Sequence, residues 1–235
     1  MTASAERLAV AGLQPFSTVD FPGQLAAVVF LQGCPWRCGY CHNPALQAKG
    51  PGEGPRWPVL RDWLQARLGR LDAVVFSGGE PTLDPALPQA IAAVRALGFA
   101  VGLHTAGMYP RALRAVLPHV DWVGLDVKAL PDHYPVVTQV RDSGTPVQES
   151  LQALLDSGVA YEVRTTLQPG LHDGAHVQAL AHWLAERGVQ HFALQQFRAT
   201  GCANDVAAPS WQPDAPLQAD LQACFAHYSW RAATA

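Results

Sequence analysis

Along the chain, short runs of consecutive apolar residues alternate with longer stretches in which apolar positions recur every three or four. The runs fall at 25–31, 73–76, 99–103, 122–125, 161–166 and 191–194. Helical spacing falls at 59–68, 87–97, 110–117, 147–156 and 176–187, as in Leu180, Trp183 and Leu184. Six short, largely apolar strands alternating with helices predict an α/β fold, a parallel sheet coated by helices. A partial barrel and a doubly wound sheet both satisfy that pattern, and both put chemistry at the carboxyl ends of the strands. Two segments read as loops: 49–58, rich in Gly and Pro, and 131–146, which breaks the rhythm and reads as a lid or partner-binding excursion. Beyond Cys202 the chain is Pro-rich to about Pro216 and then offers a last helix at 217–228.

Composition narrows this picture by exclusion. A chain of 235 residues suits one domain, with a core over about 12–200 and a tail and helix at 201–235. Hydrophobic residues at 49% and charged residues at 15% fit a globular chain and not a disordered one. A formal net charge of −3 supplies no field for nucleic acid. No apolar run reaches the length of a membrane span. Residues 1–7 lack the basic and apolar regions of a signal peptide, so the cytoplasm is the default expectation.

The cysteines change the picture. Three of the five lie within eight residues, in Gly33-Cys34-Pro35-Trp36-Arg37-Cys38-Gly39-Tyr40-Cys41-His42-Asn43. A disulfide framework would spread its cysteines, whereas three thiolates on one tight loop wrap a soft metal. Structural zinc normally takes four ligands, and His42, adjacent to Cys41, is badly placed to close a tetrahedron. An iron–sulfur cube held by three thiolates leaves one iron open. An electron-transfer cluster would need a fourth thiolate from Cys202 or Cys224; alone, each of those two reads as an ordinary packed thiol.

The spacing C-x3-C-x2-C resembles the signature of the radical S-adenosylmethionine superfamily. Ser17-Thr18-Val19-Asp20-Phe21-Pro22-Gly23, Phe30-Leu31-Gln32-Gly33-Cys34 and Tyr40-Cys41-His42-Asn43-Pro44 narrow the likeness to the glycyl-radical-enzyme activating proteins. Within these, the chain is most similar to the activating proteins of anaerobic ribonucleoside-triphosphate reductase, over about 12–197. The resemblance implies a partial (β/α)6 TIM-like barrel of parallel strands with outer helices. It implies a [4Fe–4S] cluster on Cys34, Cys38 and Cys41, whose open iron is chelated by the amino and carboxylate groups of S-adenosylmethionine. Reductive cleavage would then give a 5′-deoxyadenosyl radical that takes hydrogen from a glycine of the partner, an anaerobic ribonucleotide reductase. A flavodoxin or ferredoxin would supply the electron.

The other unusual residues fall where the pattern ends strands. Ser77-Gly78-Gly79-Glu80-Pro81 allows close backbone approach, and Glu80 can pair with an ammonium; the run resembles the superfamily segment that contacts the methionyl amino group. A plain strand-to-helix turn is its other reading. Asp126 and Lys128 share a strand face, as an ion pair or, by the resemblance, as part of the cofactor pocket with Lys128 on the carboxylate. His104 and Thr105 stand where relatives often carry Thr-Asn-Gly after an acidic residue, which puts a carboxylate cation site there in doubt. Arg164, in Glu162-Val163-Arg164-Thr165-Thr166, suits a carboxylate or ribose neighbour, or a salt bridge to Glu162 or Asp126. His172, on the loop after that strand, is the last cofactor candidate. Trp36 and Tyr40 read as shields of the cluster, and Asp20 as a turn residue near the partner or cluster. Two other functions stay open: a radical enzyme acting on a small molecule such as a deazapurine precursor, which needs a snug pocket, and a zinc-binding interaction domain.

Overall fold

The computed structural model describes residues 3–168, 170–198, 202 and 211–233. Strand β1 (Val10–Ser17) runs antiparallel to β2 (Ala26–Leu31). Every later pairing is parallel: β3 (Ala73–Gly78), β4 (Ala100–Thr105), β5 (Trp122–Asp126), β6 (Ala160–Thr166), β7 (His191–Gln195) and β8 (His227–Arg231) follow in sequence order. β1 and β8 are the two edges, so the sheet does not close. The α/β partial barrel expected from the sequence is the fold. Its helices are α1 (Trp57–Gln65), α2 (Leu87–Ala96), α3 (Pro110–Val116), α4 (Tyr134–Thr138), α5 (Gly144–Ser157), α6 (Gly174–Ala185) and α7 (Ala215–Cys224).

Two-residue periodicity divides each strand between two environments. Val29, Leu31, Val74, Phe76, Val101, Leu103, Val123, Leu125, Val163 and Leu194 join the main core under the helices. The alternate positions face the barrel interior, where Ala26, Val28, Ala73, Val75 and Trp122 form a second, smaller cluster with Phe21. Phe21 comes from the turn between β1 and β2 and stacks on Trp122, with centroids 5.7 Å apart. Gly102 makes room for it, since a Cβ there would lie 3.1 Å from the Phe21 ring. Farther along the same inner face the side chains turn polar: Ser77 on β3, His104 on β4, Asp126 on β5, Arg164 and Thr166 on β6. An apolar plug at one end and a polar mouth at the other follow from a single alternation.

The expected six β/α units are present, from β2 with α1 to β7 with α7, and β1 and β8 flank them as additional strands. Three expectations need correction. The last helix was expected over 217–228, but α7 stops at Cys224 and the chain runs extended through Phe225 into β8. Segment 131–146 is no open excursion. A 3-10 turn at Pro131–His133, α4 and the first residues of α5 fill it, anchored by the buried Tyr134, Val137 and Thr138. The loop at 49–58 also ends early: α1 begins at Trp57, with Pro58 in the first turn, where its missing N–H costs nothing.

Candidate active site at the carboxyl ends of the strands

The cysteine loop leaves β2 through Gly33, whose φ of +102° suits glycine alone. The loop is held mostly by backbone. Gly33 N–H donates to Leu46 O at 2.8 Å, Cys34 N–H to Gln47 O at 3.2 Å and Cys41 N–H to Cys38 O at 3.1 Å. Arg37 N–H donates to Thr138 O at 3.0 Å, and the Trp36 ring meets Tyr134 edge-on at 5.8 Å, so α4 braces the loop from outside. On the other side His42 stacks on Phe197 at 5.5 Å and donates from Nε2 to Arg198 O at 2.8 Å. Cys34, Cys38 and Cys41 all line one cavity of about 180 Å³. None of the three is in a disulfide. Burial pushes the Cys34 thiol up to about 11 and raises Cys38 as well. The neighbouring thiol adds to the rise in each case, Cys38 at Cys34 and Cys41 at Cys38.

Gly78 and Gly79 line the same cavity. Both sit where nothing larger fits: a Cβ on Gly78 would come within 2.3 Å of Leu31 N, and one on Gly79 within 2.3 Å of Gly33 O. The next peptide ties the two loops together, Glu80 N–H donating to Gly33 O at 2.9 Å. Glu80 itself turns inward. Its Oε1 accepts from Thr82 N–H, the Thr82 hydroxyl and the Thr105 hydroxyl, and its Oε2 from Ala106 N–H at 2.9 Å. Burial raises the Glu80 carboxyl, and those donors work against the rise. The carboxylate expected to meet an ammonium is therefore a bracket between the β3 and β4 loops. Pro81, buried in the 3-10 turn behind it, has a packing place. Of this run, Ser77, Gly78 and Gly79 face the cavity.

A charged row crosses the mouth. Arg164 Nε donates to Asp126 Oδ1 at 3.1 Å, and Lys128 Nζ stands 3.7 Å from Asp126 Oδ2. Gly124 gives the guanidinium its bed, since a Cβ there would lie 2.6 Å from Arg164 Cζ. Burial works to raise Asp126, but Arg164 and Lys128 outweigh it and hold the carboxyl below its usual range. Lys128 stays charged, because Tyr40 and Asp126 outweigh the effect of its burial. His104 Nε2 donates to Asp20 O at 2.8 Å and its Nδ1 lies 3.5 Å from the Ser77 hydroxyl. Burial, with Arg164 beside it, pushes His104 down to about 3, so the ring is neutral. Asp20 thus acts through its carbonyl, as a bolt on His104. Glu162, the other partner weighed for Arg164, pairs instead with Arg231 at 2.7 Å.

His104, Thr105, Asp126 and Lys128 line the cavity with the cysteines; His172 does not. His172 lies in a separate small space beside Leu130, His133 and His176, its Nδ1 accepting from Gln168 N–H at 2.7 Å. Thr166 and Ala106 do line the cavity. Thr166 was discoverable as the inward position two beyond Arg164, whereas Ala106 carries no chemical signal.

The family model of the radical SAM superfamily matches residues 28–184. The chain belongs to the radical SAM superfamily. It is 30% identical, over 80% of its length and 79% of the relative's, to MJ1227 of Methanocaldococcus jannaschii, which carries the provisional name glycyl-radical enzyme activating enzyme. It is 29% identical to the pyruvate formate-lyase-activating enzyme of Clostridium pasteurianum, over 80% of this chain and 82% of that one. Its fold is shared with Streptococcus suis SuiB bound to S-adenosylmethionine, at TM-score 0.64 and 12% identity, covering 86% of this chain. The chain spans about half of SuiB, 48% of its length. The superfamily's cofactors are a [4Fe–4S] cluster and S-adenosylmethionine.

The residues present fit both groups. Three thiols of one loop share one cavity, and thiols that burial keeps protonated are ionised by a soft metal more readily than by a base. The Tyr40 hydroxyl is buried beside them without a hydrogen-bond partner among the described residues. Lys128, 5.7 Å from the Tyr40 ring centroid, brings a permanent positive charge to the same wall. Among the described residues no helix is long and apolar enough to cross a membrane.

Proposed function

We infer that this chain activates a glycyl-radical enzyme. The observation that carries the reading is the single cavity shared by Cys34, Cys38, Cys41, Gly78, Gly79 and Lys128, in a chain similar over four-fifths of its length to proteins named as such activases. In this reading Cys34, Cys38 and Cys41 hold the cluster. The bare backbone at Gly78 and Gly79 admits the methionyl amino group, and the Lys128 ammonium takes the carboxylate. Arg164 and Asp126 fix one another and keep Lys128 oriented. Neutral His104 presents no charge to the adenosyl side, and Trp36 and Tyr40 keep water from the cluster. His172 supports the Lys128 loop from behind and is not a contact. When bound, the two cofactors supply reductive cleavage of S-adenosylmethionine and a carbon radical that removes hydrogen from a glycine Cα.

The partner we assign is an anaerobic ribonucleotide reductase, on the strength of the Val19-Asp20-Phe21-Pro22-Gly23 and Tyr40-Cys41-His42-Asn43-Pro44 segments, with a flavodoxin or ferredoxin as donor. A formate-lyase-type partner is the second reading, favoured by the Clostridium relative. The test is anaerobic incubation of reduced, cluster-loaded protein with S-adenosylmethionine and each purified partner in turn. A glycyl signal in electron spin resonance on the reductase supports the first assignment, and on the lyase the second. Cofactor cleavage with no organic radical on either, together with turnover of a small metabolite, overturns both.

A further inference from the structure

Outside the lining of the cavity, metal-ligating side chains gather where α6 packs on α7. Gln178 and His182 are one turn apart on α6, and Asp220 and Cys224 one turn apart on α7. Residues four apart share a helix face, so each helix offers a pair of polar groups to the other. Gln178 Nε2 donates to Asp220 Oδ2 at 2.9 Å, and His182 Nε2 lies 3.1 Å from the same oxygen. One ligand atom from each of His182, Asp220 and Cys224 lies within 4.8 Å of the other two. Donors bound at about 2.0–2.3 Å to one tetrahedral ion stand roughly 3.3–3.8 Å apart. Small rotations of these half-exposed side chains close that difference.

We propose that His182, Asp220 and Cys224 form a second metal site, for a zinc-class divalent cation with water in the fourth position. A mixed nitrogen, oxygen and sulfur set suits a borderline-soft ion and excludes magnesium and calcium, which take oxygen ligands. Binding replaces the His182–Asp220 hydrogen bond and releases the Cys224 proton to solvent. Gln178 stays on the carboxylate as its orienting donor. The site has structural work to do. α7 buries a single side chain, Leu221, yet it leads directly into edge strand β8. A metal at the α6–α7 contact clips this terminal unit to the barrel by joining residues 38 positions apart in the chain, a separation at which a cross-link gains more than a local one.

The test uses cluster-loaded protein, so that Cys34, Cys38 and Cys41 are already occupied. Anaerobic addition of zinc chloride, desalting and elemental analysis should find one zinc more in the wild type than in His182→Ala or Cys224→Ser. Zinc affinity should fall at least tenfold in either variant, while Cys202→Ser keeps the full affinity. Cobalt chloride should give thiolate charge-transfer absorption that Cys224→Ser lacks. The apparent unfolding temperature should rise with zinc in the wild type and stay fixed in both variants, which circular dichroism should show to be folded. Equal zinc content in wild type and Cys224→Ser, or a cobalt spectrum unchanged by that substitution, overturns the proposal. Zinc content and cobalt absorption do not depend on glycyl-radical activity, so this reading and the proposed function stand or fall separately.

Discussion

His104 shows how one buried side chain couples the mouth of the barrel to acid. In the unfolded chain a histidine titrates near its ordinary 6.5; in the fold it is held down to about 3, first by burial and then by Arg164. Between those values the unfolded state binds the proton and the native state does not. Stability therefore rises with pH across this window and is lost as pH falls from about 6.5 towards 3, by at most about 1.4 kcal/mol for each unit. His172, pushed down by burial to about 4, adds in the same direction. Urea unfolding of the cluster-free protein between pH 4 and 7 should show this slope, and His104→Gln should flatten part of it. An unchanged slope would place the acid sensitivity elsewhere. Glu80 gives the second residue-scale prediction. Glu80→Ala strands the Thr82 and Thr105 hydroxyls and the Ala106 N–H, and should cost about 2–4 kcal/mol in urea unfolding. Glu80→Gln keeps an acceptor on the same stem and should cost less. The cysteines, Gly78, Gly79 and Lys128 were legible in the sequence because their chemistry is local. The turning of Glu80 away from the cavity was not, because its partners Thr105 and Ala106 lie 25 and 26 residues away. For His172, proximity to a strand end was readable, but not which side of the Lys128 loop the ring would take.

Between elements, the decisive contact is backbone on backbone. The peptide after Gly79 donates to Gly33 O at 2.9 Å, one residue before Cys34, so the β3 turn sets where the cysteine loop starts. A methyl group on Gly79 must push Gly33 and Leu46 aside, since its nearest neighbours, at 2.3–2.8 Å, are all main-chain atoms. Backbone cannot swing away as a side chain can. Gly79→Ala should therefore lower the iron retained after reconstitution several-fold. It should destabilise the cluster-free protein by about 1–3 kcal/mol, as overpacking does. Iron analysis and urea unfolding on the same sample check both, and full iron with wild-type stability would refute the coupling. Five of the six central strands were legible as largely apolar runs, and β6 as an alternation across two faces, in Glu162-Val163-Arg164-Thr165-Thr166. β1 was not, because an edge strand exposed over its second half carries Gln14, Pro15 and Phe16 in place of an apolar run. β8 was hidden for a related reason: His227-Tyr228-Ser229-Trp230-Arg231 alternates polar and aromatic residues, and the helical pattern before it masks the break at Phe225.

Over the whole molecule, an open barrel must hold its last strand without a closing neighbour. Among the described strands β8 is hydrogen-bonded to β7 alone, and side-chain contacts supplement that ladder, His227 stacking on His191 at 4.4 Å among them. On the outer face Phe192 of β7 packs on Phe225 at 4.8 Å between centroids. On the inner face Arg231 reaches over β7 to Glu162 of β6, Nη2 to Oε2 at 2.7 Å. Glu162 is mostly covered, 16% exposed, while Arg231 is 40% exposed, so solvent screens the pair from one side. The attraction itself is then worth only about 1 kcal/mol. The cost of breaking it is unequal. Removing Arg231 leaves a covered carboxylate whose Oε1 already has no partner among the described residues, whereas removing both charges leaves nothing to solvate. Arg231→Ala should therefore destabilise the protein more than the double variant Arg231→Ala with Glu162→Gln. The double-mutant cycle should close with a coupling of about 1 kcal/mol that shrinks in high salt. If the two losses simply add, Arg231 contributes only its stem to the wall, and β8 is held by its backbone ladder and by Phe225.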